Sequence, residues 1–198
     1  MTRNALTPQE IQDFRKAYCE KAYALYKEQD YQAITMRGIA REMGCSPMTA
    51  YRYFANKDAV FACLRAILFH RLADTLEAVP QSPSPTKYLK SLGMAYVQFA
   101  LQEPHAYRLL YLIQLHPDDH QAAVEEAQSR PRKVLFNATL AVIESGHLQG
   151  SPVTVAHAIW GLIHGLVSLE LANNLNQGAR LTDLFPEVID NFLLREAE

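Results

Sequence analysis

The stretch TMRGIAREMGCSPMTAYRYFANK, running from Thr35 to Lys57, reads as two short helices joined by a tight turn. Met36, Ile39, Ala40 and Met43 recur at i, i+3, i+4 and i+7, which is one apolar helical face. Gly44 then supplies a backbone that adopts positive φ without steric penalty, as a sharp helix exit requires. Ser46-Pro47 restarts a helix, because a hydroxyl caps free amides and proline fits the first helical position. Ala50 and Phe54, four apart, are expected to face inward, leaving Met48, Thr49, Arg52 and Tyr53 pointing out. Polar, aromatic and cationic groups at the start of such a second helix are what a helix-turn-helix presents to a major groove.

Side-chain chemistry divides this face. Arg52 and Arg37 carry the fork that bonds guanine bidentately, while Met48 and the Thr49 methyl suit thymine methyls. Thr35, Tyr51, Tyr53 and Lys57 offer hydroxyls or an ammonium to phosphates, which fix position rather than sequence. With Ser46 and Pro47 at the helix start, these residues form the candidate DNA-binding set. Two of them keep a second reading: Tyr51 as packing against the first helix, and Met48 as merely exposed.

The wider run ITMRGIAREMGCSPMTAYRYFANKDAVF, residues 34–61, resembles the DNA-binding domain of the TetR (tetracycline-repressor-like) family of bacterial transcription regulators. The likeness rests on the threonine opening the first motif helix, the Ile39-Ala40 pair, Gly44 with its apolar neighbour, and the tail T-x-Y-x-Y-F-x-N-K. It implies a homodimer on a pseudo-palindromic operator, one recognition helix per major groove, and most often repression relieved by a small-molecule effector. It also assigns base reading to Arg37 and early recognition-helix positions, and backbone contacts to Tyr53 and Lys57. The chain departs from many relatives in lacking a basic N-terminal arm, since only Arg3 precedes the first helix.

Composition agrees with a cytoplasmic, globular chain. Of its 198 residues 49% are hydrophobic, enough to bury a substantial core without disulfide staples. Three cysteines, Cys19, Cys45 and Cys63, are an odd number at wide spacing and match no zinc pattern. Cys45, beside the turn glycine, reads as a packing residue. The N-terminus lacks an apolar leader, and no run is read as approaching the ~18 apolar residues of a membrane span. Net charge is only −2, but it is unevenly spread. Residues 1–60 hold nine Lys/Arg against seven Asp/Glu, and residues 80–198 hold eight against twelve, so a small basic face sits on an acidic body.

Along the chain the pattern is all-α, with about nine helices and no alternating strand signature. Thr7-Pro8-Gln9-Glu10 is a capping box that opens the first helix. Asn56 caps a fourth helix whose stripe Phe61, Leu64, Leu68, Leu72 and Leu76 continues to residue 79. The expected division is a helix-turn-helix domain over 1–57 and a helical effector-binding and dimerisation domain over 58–198, linked by helix 58–79. Pro131 is expected to kink or divide the seventh helix, Gly146 to end it, and Ser151-Pro152 to open the eighth.

That eighth helix is the second informative stretch. Ala158, Gly161, Gly165, Ser168 and Ala172 recur at spacings of 3, 4, 3 and 4, beside a stripe of Val155, Ile159, Leu162, Leu166 and Leu169. Each glycine inside a helix costs ~1 kcal/mol relative to alanine, and close helix–helix approach is the physical reason to keep two. The Trp160-Gly161…His164-Gly165 pattern resembles the Trp-x-x-x-His-Gly (WHG) subgroup of TetR C-terminal domains. The resemblance implies dimerisation through the last two helices, with Ala158, Gly161, Gly165, Ser168, Ala172, Phe185, Ile189 and Phe192 as candidates. Whether the glycine or the leucine face forms the seam stays open. It likewise implies an effector pocket, for which Tyr88, Tyr96, Tyr107, Tyr111, Phe136, Trp160 and His164 are the candidates; the alternative is a tyrosine-rich core.

Two other function classes remain. The His116-Pro-Asp118-Asp119-His120 cluster allows an all-helical metal-dependent enzyme using His116, Asp119 and His120. No phosphate-binding glycine loop or nucleophile elbow supports it, so no enzyme, metal or cofactor is expected. The last class is a helical ligand-binding module without DNA binding.

Overall fold

The structure, a computed structural model, describes residues 7–115, 121–175 and 178–194. Among these residues it is all-helical. Nine α-helices follow one another: α1 (Pro8–Glu28), α2 (Met36–Glu42), α3 (Pro47–Tyr51), α4 (Lys57–Glu77), α5 (Pro85–Gln102), α6 (Pro104–Tyr111), α7 (Gln121–Glu144), α8 (Pro152–Leu171) and α9 (Leu181–Leu194). A single 3-10 turn, Tyr31–Ala33, separates α1 from α2.

The helix starts form where side chains replace missing backbone partners. At Thr7 the hydroxyl accepts from the Glu10 amide while the Glu10 carboxylate accepts from the Thr7 amide, a complete capping box. Those bonds hold the Glu10 carboxyl below its usual range. The side chains of Thr35, Ser46, Asn56 and Ser84 each accept one amide bond at the start of α2, α3, α4 and α5. Ser151 breaks the pattern: proline opens α8 as expected, but the serine hydroxyl makes no capping bond. Gly44 and Gly146 close α2 and α7 at φ +68° and +78°, a left-handed conformation that a Cβ would strain.

Pro131 neither divides nor ends α7, which runs unbroken from Gln121 to Glu144. A proline there removes one backbone bond and crowds the preceding turn. Tertiary bonds hold the helix against that cost. The neighbouring Arg130 donates through Nε to Glu77 and through its terminal nitrogen to Asp74, both at 2.8 Å, pinning this turn to α4.

The chain divides into two compact units, and the cut falls inside α4, between Leu68 and Phe69. The first unit also takes in Leu109–Glu126, a return to the N-terminal part that no local sequence pattern announces. Its core gathers Tyr18, Cys19, Ala22, Ile34, Ile39, Ala50, Phe54, Phe61 and Leu64, all essentially inaccessible. Arg65 of α4 closes the C-terminal end of α6, donating to the Leu109 carbonyl at 3.0 Å and to the Ile113 carbonyl at 2.5 Å. The second unit runs over Phe69–Arg108 and Ala127–Glu198, where α5 packs against α8 and α9. Its interior includes Leu72, Leu76, Leu92, Tyr96, Val97, Ile163, Val167, Phe185 and Ile189.

Candidate nucleic-acid interface

α1 is the frame on which the two short helices rest. Its Tyr18 is fully buried, and the phenol donates to the Met36 carbonyl at 2.9 Å, fixing the first turn of α2. Burial pushes the Tyr18 phenol well above its ordinary value, so it stays a donor. Phe14 lies 4.7 Å from the Tyr53 ring, and Tyr18 stacks on Phe54 at 5.5 Å, holding the end of α3. Arg15 completes the support, donating to the Tyr53 carbonyl at 2.6 Å with its guanidinium 4.5 Å over the Phe54 ring. Nothing in the local pattern around Arg15 marks it; only the fold brings residues 15 and 53 together.

With Ala50 and Phe54 buried, the opposite side of α3 is left bare. Met48 is 74% and Tyr51 50% exposed, both unusually high for large apolar groups. Arg37, Arg41 and Arg52 are exposed as well. The packing tyrosine is therefore Tyr53 rather than Tyr51, since Tyr53 is the one whose ring meets α1. Thr35 and Ser46 spend their hydroxyls on capping α2 and α3, and the Thr49 hydroxyl lies 2.9 Å from that of Ser46. Pro47 is exposed at the helix start.

Lys57 is more enclosed than its reading as a free phosphate ligand implied. Its ammonium donates to the Tyr31 carbonyl at 2.9 Å and lies 4.1 Å over the Tyr31 ring. Desolvation lowers its pKa. Tyr31 in turn hydrogen-bonds Asp58 and meets Phe61 edge-on at 4.8 Å. The start of α4 is thereby tied to the turn that leads into α2.

Comparisons with known proteins bear on this geometry directly. Residues 19–64 match the family profile "Bacterial regulatory proteins, tetR family", and residues 89–192 match "Tetracyclin repressor-like, C-terminal domain". The second match spans more than half of the chain. The chain belongs to the TetR family. This is a family of regulatory proteins rather than enzymes. A curated relative, the HTH-type transcriptional regulator BetI of Rhizobium meliloti (strain 1021), is 32% identical over 79 residues, which is 39% of each protein. Solved structures share the fold over nearly the whole chain. A Rhodococcus sp. RHA1 protein of unknown function superposes with a TM-score of 0.81 at 22% identity, covering 93% of this chain and 95% of its own. The fatty acid degradation regulator FadR from Bacillus halodurans gives 0.71 at 17% identity, covering 96% and 97%. The TetR family regulator PfmR from Thermus thermophilus gives 0.66 at 14%, covering 91% and 98%.

In the second unit, four of the pocket candidates come together. The Tyr107 hydroxyl lies 2.5 Å from His164 Nδ1, Trp160 Nε1 donates to the Tyr96 hydroxyl at 3.5 Å, and the Trp160 and His164 rings are 5.6 Å apart. Burial lowers the His164 pKa, favouring the neutral ring whose Nδ1 accepts from a phenol. Tyr88 stands apart at the start of α5, its hydroxyl accepting from Gln81, and Phe136 is half-buried on α7. Tyr111 belongs to the first unit.

The dimer candidates separate onto opposite sides. Phe185 and Ile189 are closed inside the chain's own core, so neither is presented to a second subunit. Phe185 lies against Gly93 of α5 so closely that a methyl there would collide with the ring. On α8, Val155, Ile159, Ile163 and Val167 are buried, whereas Ala158, Gly161, Gly165 and Ala172 are exposed on the other side. Ser168 and Phe192 are half-buried. A methyl added at Gly161 or Gly165 would meet nothing within 4 Å. α8 also corrects the expectation about apolar runs: by length and composition Pro152–Leu171 suffices to cross a membrane, with a mean hydropathy of 1.4, yet only 22% of it is buried. The polar Thr154, His157, His164 and Glu170 interrupt its run in sequence and hide that average.

Among the described residues no group of three or more His, Cys, Asp or Glu is gathered as a metal site. The His116–His120 cluster lies outside the described residues.

Proposed function

We propose that this chain is a homodimeric, effector-responsive repressor that inserts α3 of each subunit into successive major grooves of a pseudo-palindromic operator. The observation that carries the reading is the bare side of α3, where Met48, Tyr51 and Arg52 are exposed while Ala50 and Phe54 anchor the helix from behind. Arg37 and Arg52 are the base readers, with Met48 and Thr49 supplying apolar contact. Thr35, Tyr51, Tyr53 and Lys57 hold phosphates, and Ser46 with Pro47 brings the start of α3 to the groove. Lys57 has donors left after its bond to Tyr31, so bracing the turn and touching a phosphate are compatible.

The small-residue face of α8, with Phe192 of α9, is the surface that a second copy covers. An apolar helix so little buried within one chain fits a partner helix better than water. The Trp160-Gly161…His164-Gly165 motif supports assignment to the Trp-x-x-x-His-Gly subgroup. The effector contacts Tyr96, Tyr107, Trp160 and His164. An effector relieves repression only by binding the released conformation more tightly than the DNA-bound one. Such a protein works in the cytoplasm.

A gel shift with DNA from upstream of the chain's own gene tests the reading. Retention at low salt is expected, because phosphate attraction is strongest there. Arg52→Ala should relax preference at one operator position by ~1–3 kcal/mol, whereas Lys57→Ala should weaken all sequences alike. No retention at low salt would sink the regulator reading.

A further inference from the structure

Two thiols and one guanidinium meet behind the recognition helix. Cys19 of α1 is fully enclosed, and its sulfur lies 3.6 Å from the Val60 carbonyl of α4. Cys63 stands one turn further along α4 and is only partly buried. The two thiols hydrogen-bond each other, and Arg15, one turn before Cys19, bonds the Cys63 sulfur. The same guanidinium holds the Tyr53 carbonyl and lies over Phe54.

These contacts differentiate the pair. The hydrogen bond from Cys19 and the charge of Arg15 lower the Cys63 pKa against the opposing effect of burial. Cys19, as the donor and the more enclosed group, is raised. A thiolate-forming, partly accessible sulfur beside a buried thiol has the arrangement of an attacking and a resolving cysteine. Cys45, in the turn between α2 and α3, is raised by burial and lacks that activation.

We propose that Cys63 and Cys19 form an oxidisable dithiol, oxidised at Cys63 by a hydroperoxide and closed by Cys19 into an intramolecular disulfide between α1 and α4. The Cys63 thiolate attacks one peroxide oxygen, the O–O bond breaks, and hydroxide leaves, giving the sulfenic acid. Cys19 sulfur then attacks Cys63 sulfur, the S–O bond breaks, and the Cys19 proton departs with the oxygen as water. Two thiols are oxidised and one hydrogen peroxide is reduced to two waters. Bond formation draws the sulfurs from hydrogen-bond contact to ~2.05 Å. It also deprives Arg15 of its anionic partner. Because Arg15 supports the Tyr53 carbonyl, the change reaches the end of α3 and weakens DNA retention. This last consequence rests on the DNA-binding reading; the disulfide does not.

The test treats the full chain with hydrogen peroxide and maps its peptides by mass spectrometry without reduction. A cross-linked Cys19–Cys63 peptide is expected, reversed by dithiothreitol, with Cys45 still open to alkylation. Cys63→Ser should abolish the cross-link, and Cys19→Ala should leave Cys63 as a sulfenic or sulfinic adduct. A folding defect in Cys19→Ala would not obscure the result, because in the unmodified chain Cys63 should react with iodoacetamide faster than Cys45. Oxidation of Cys45 first, disulfides only between chains, or slow Cys63 alkylation would overturn the assignment. In gel shifts the disulfide form should be retained about tenfold more weakly than the reduced form. Unchanged retention would overturn the coupling through Arg15. A disulfide that forms in a chain with no DNA retention in either state would count against the regulator reading alone.

Discussion

Replacing Gly161 and Gly165 together by alanine separates the two fates open to the exposed face of α8. In the single chain neither added methyl meets any atom within 4 Å, so nothing opposes the helix-propensity gain. That gain is ~1 kcal/mol per glycine, or ~2 kcal/mol for the pair. If a second copy packs closely on this face, two-fold symmetry brings both methyls from each subunit into the seam. Overpacking costs about 1–3 kcal/mol per insertion, so four methyls weaken association by at least ~4 kcal/mol, roughly a thousandfold in Kd. Sedimentation equilibrium over a concentration series reads the dissociation constant. Thermal melts at concentrations where the variant is monomeric should rise by about 4–8 °C, from ~2 kcal/mol at 2–4 °C each. A variant that melts higher and dimerises as tightly as the parent would refute close approach through the glycine face.

Three further outcomes follow from particular contacts. Tyr18→Phe removes the phenol's bond to the Met36 carbonyl, which should cost ~0.5–1.5 kcal/mol in urea unfolding and loosen α2 on α1. Phe185→Ala should destabilise the chain by about 3–5 kcal/mol, whereas Phe192→Ala, from a half-buried position, should act mainly on dimer dissociation. His164 should make stability depend on pH. Its folded pKa lies below the unfolded value of ~6.5, so the unfolded chain binds more protons as pH falls. The stabilisation is complete above ~6.5 and is lost as pH drops through that value toward the folded pKa, and His164→Gln should flatten that part of a pH–melting profile.

What was legible in the sequence was local. The caps at Thr7, Thr35, Ser46 and Asn56 announce helix starts because each acts within three residues of itself. The inward pair Ala50 and Phe54 follows from helical spacing alone, and so does the α4 stripe from Phe61 to Leu76. The exposed side of α3 was readable for the same reason: once Ala50, the one buried position of this five-residue helix, faces the core, Met48 and Tyr51 are left outside. Pro131 did not divide α7, because the local rule against proline was outweighed by the fork from Arg130 to Asp74 and Glu77.

By itself, then, the sequence determined the helix inventory, the helix-turn-helix and the two striped faces of α8, all consequences of spacing within one helix or one turn. Only the tertiary structure decided which partner each face receives. It put Tyr53 rather than Tyr51 against α1, turned Lys57 toward Tyr31, closed Phe185 and Ile189 into the core, and left the glycines of α8 bare. It also joined Arg15, Cys19 and Cys63, which are ordinary residues until α1 meets α4. The physical reason is that periodicity states which residues share a side of a helix, while the neighbour on that side is chosen by the packing of the whole chain.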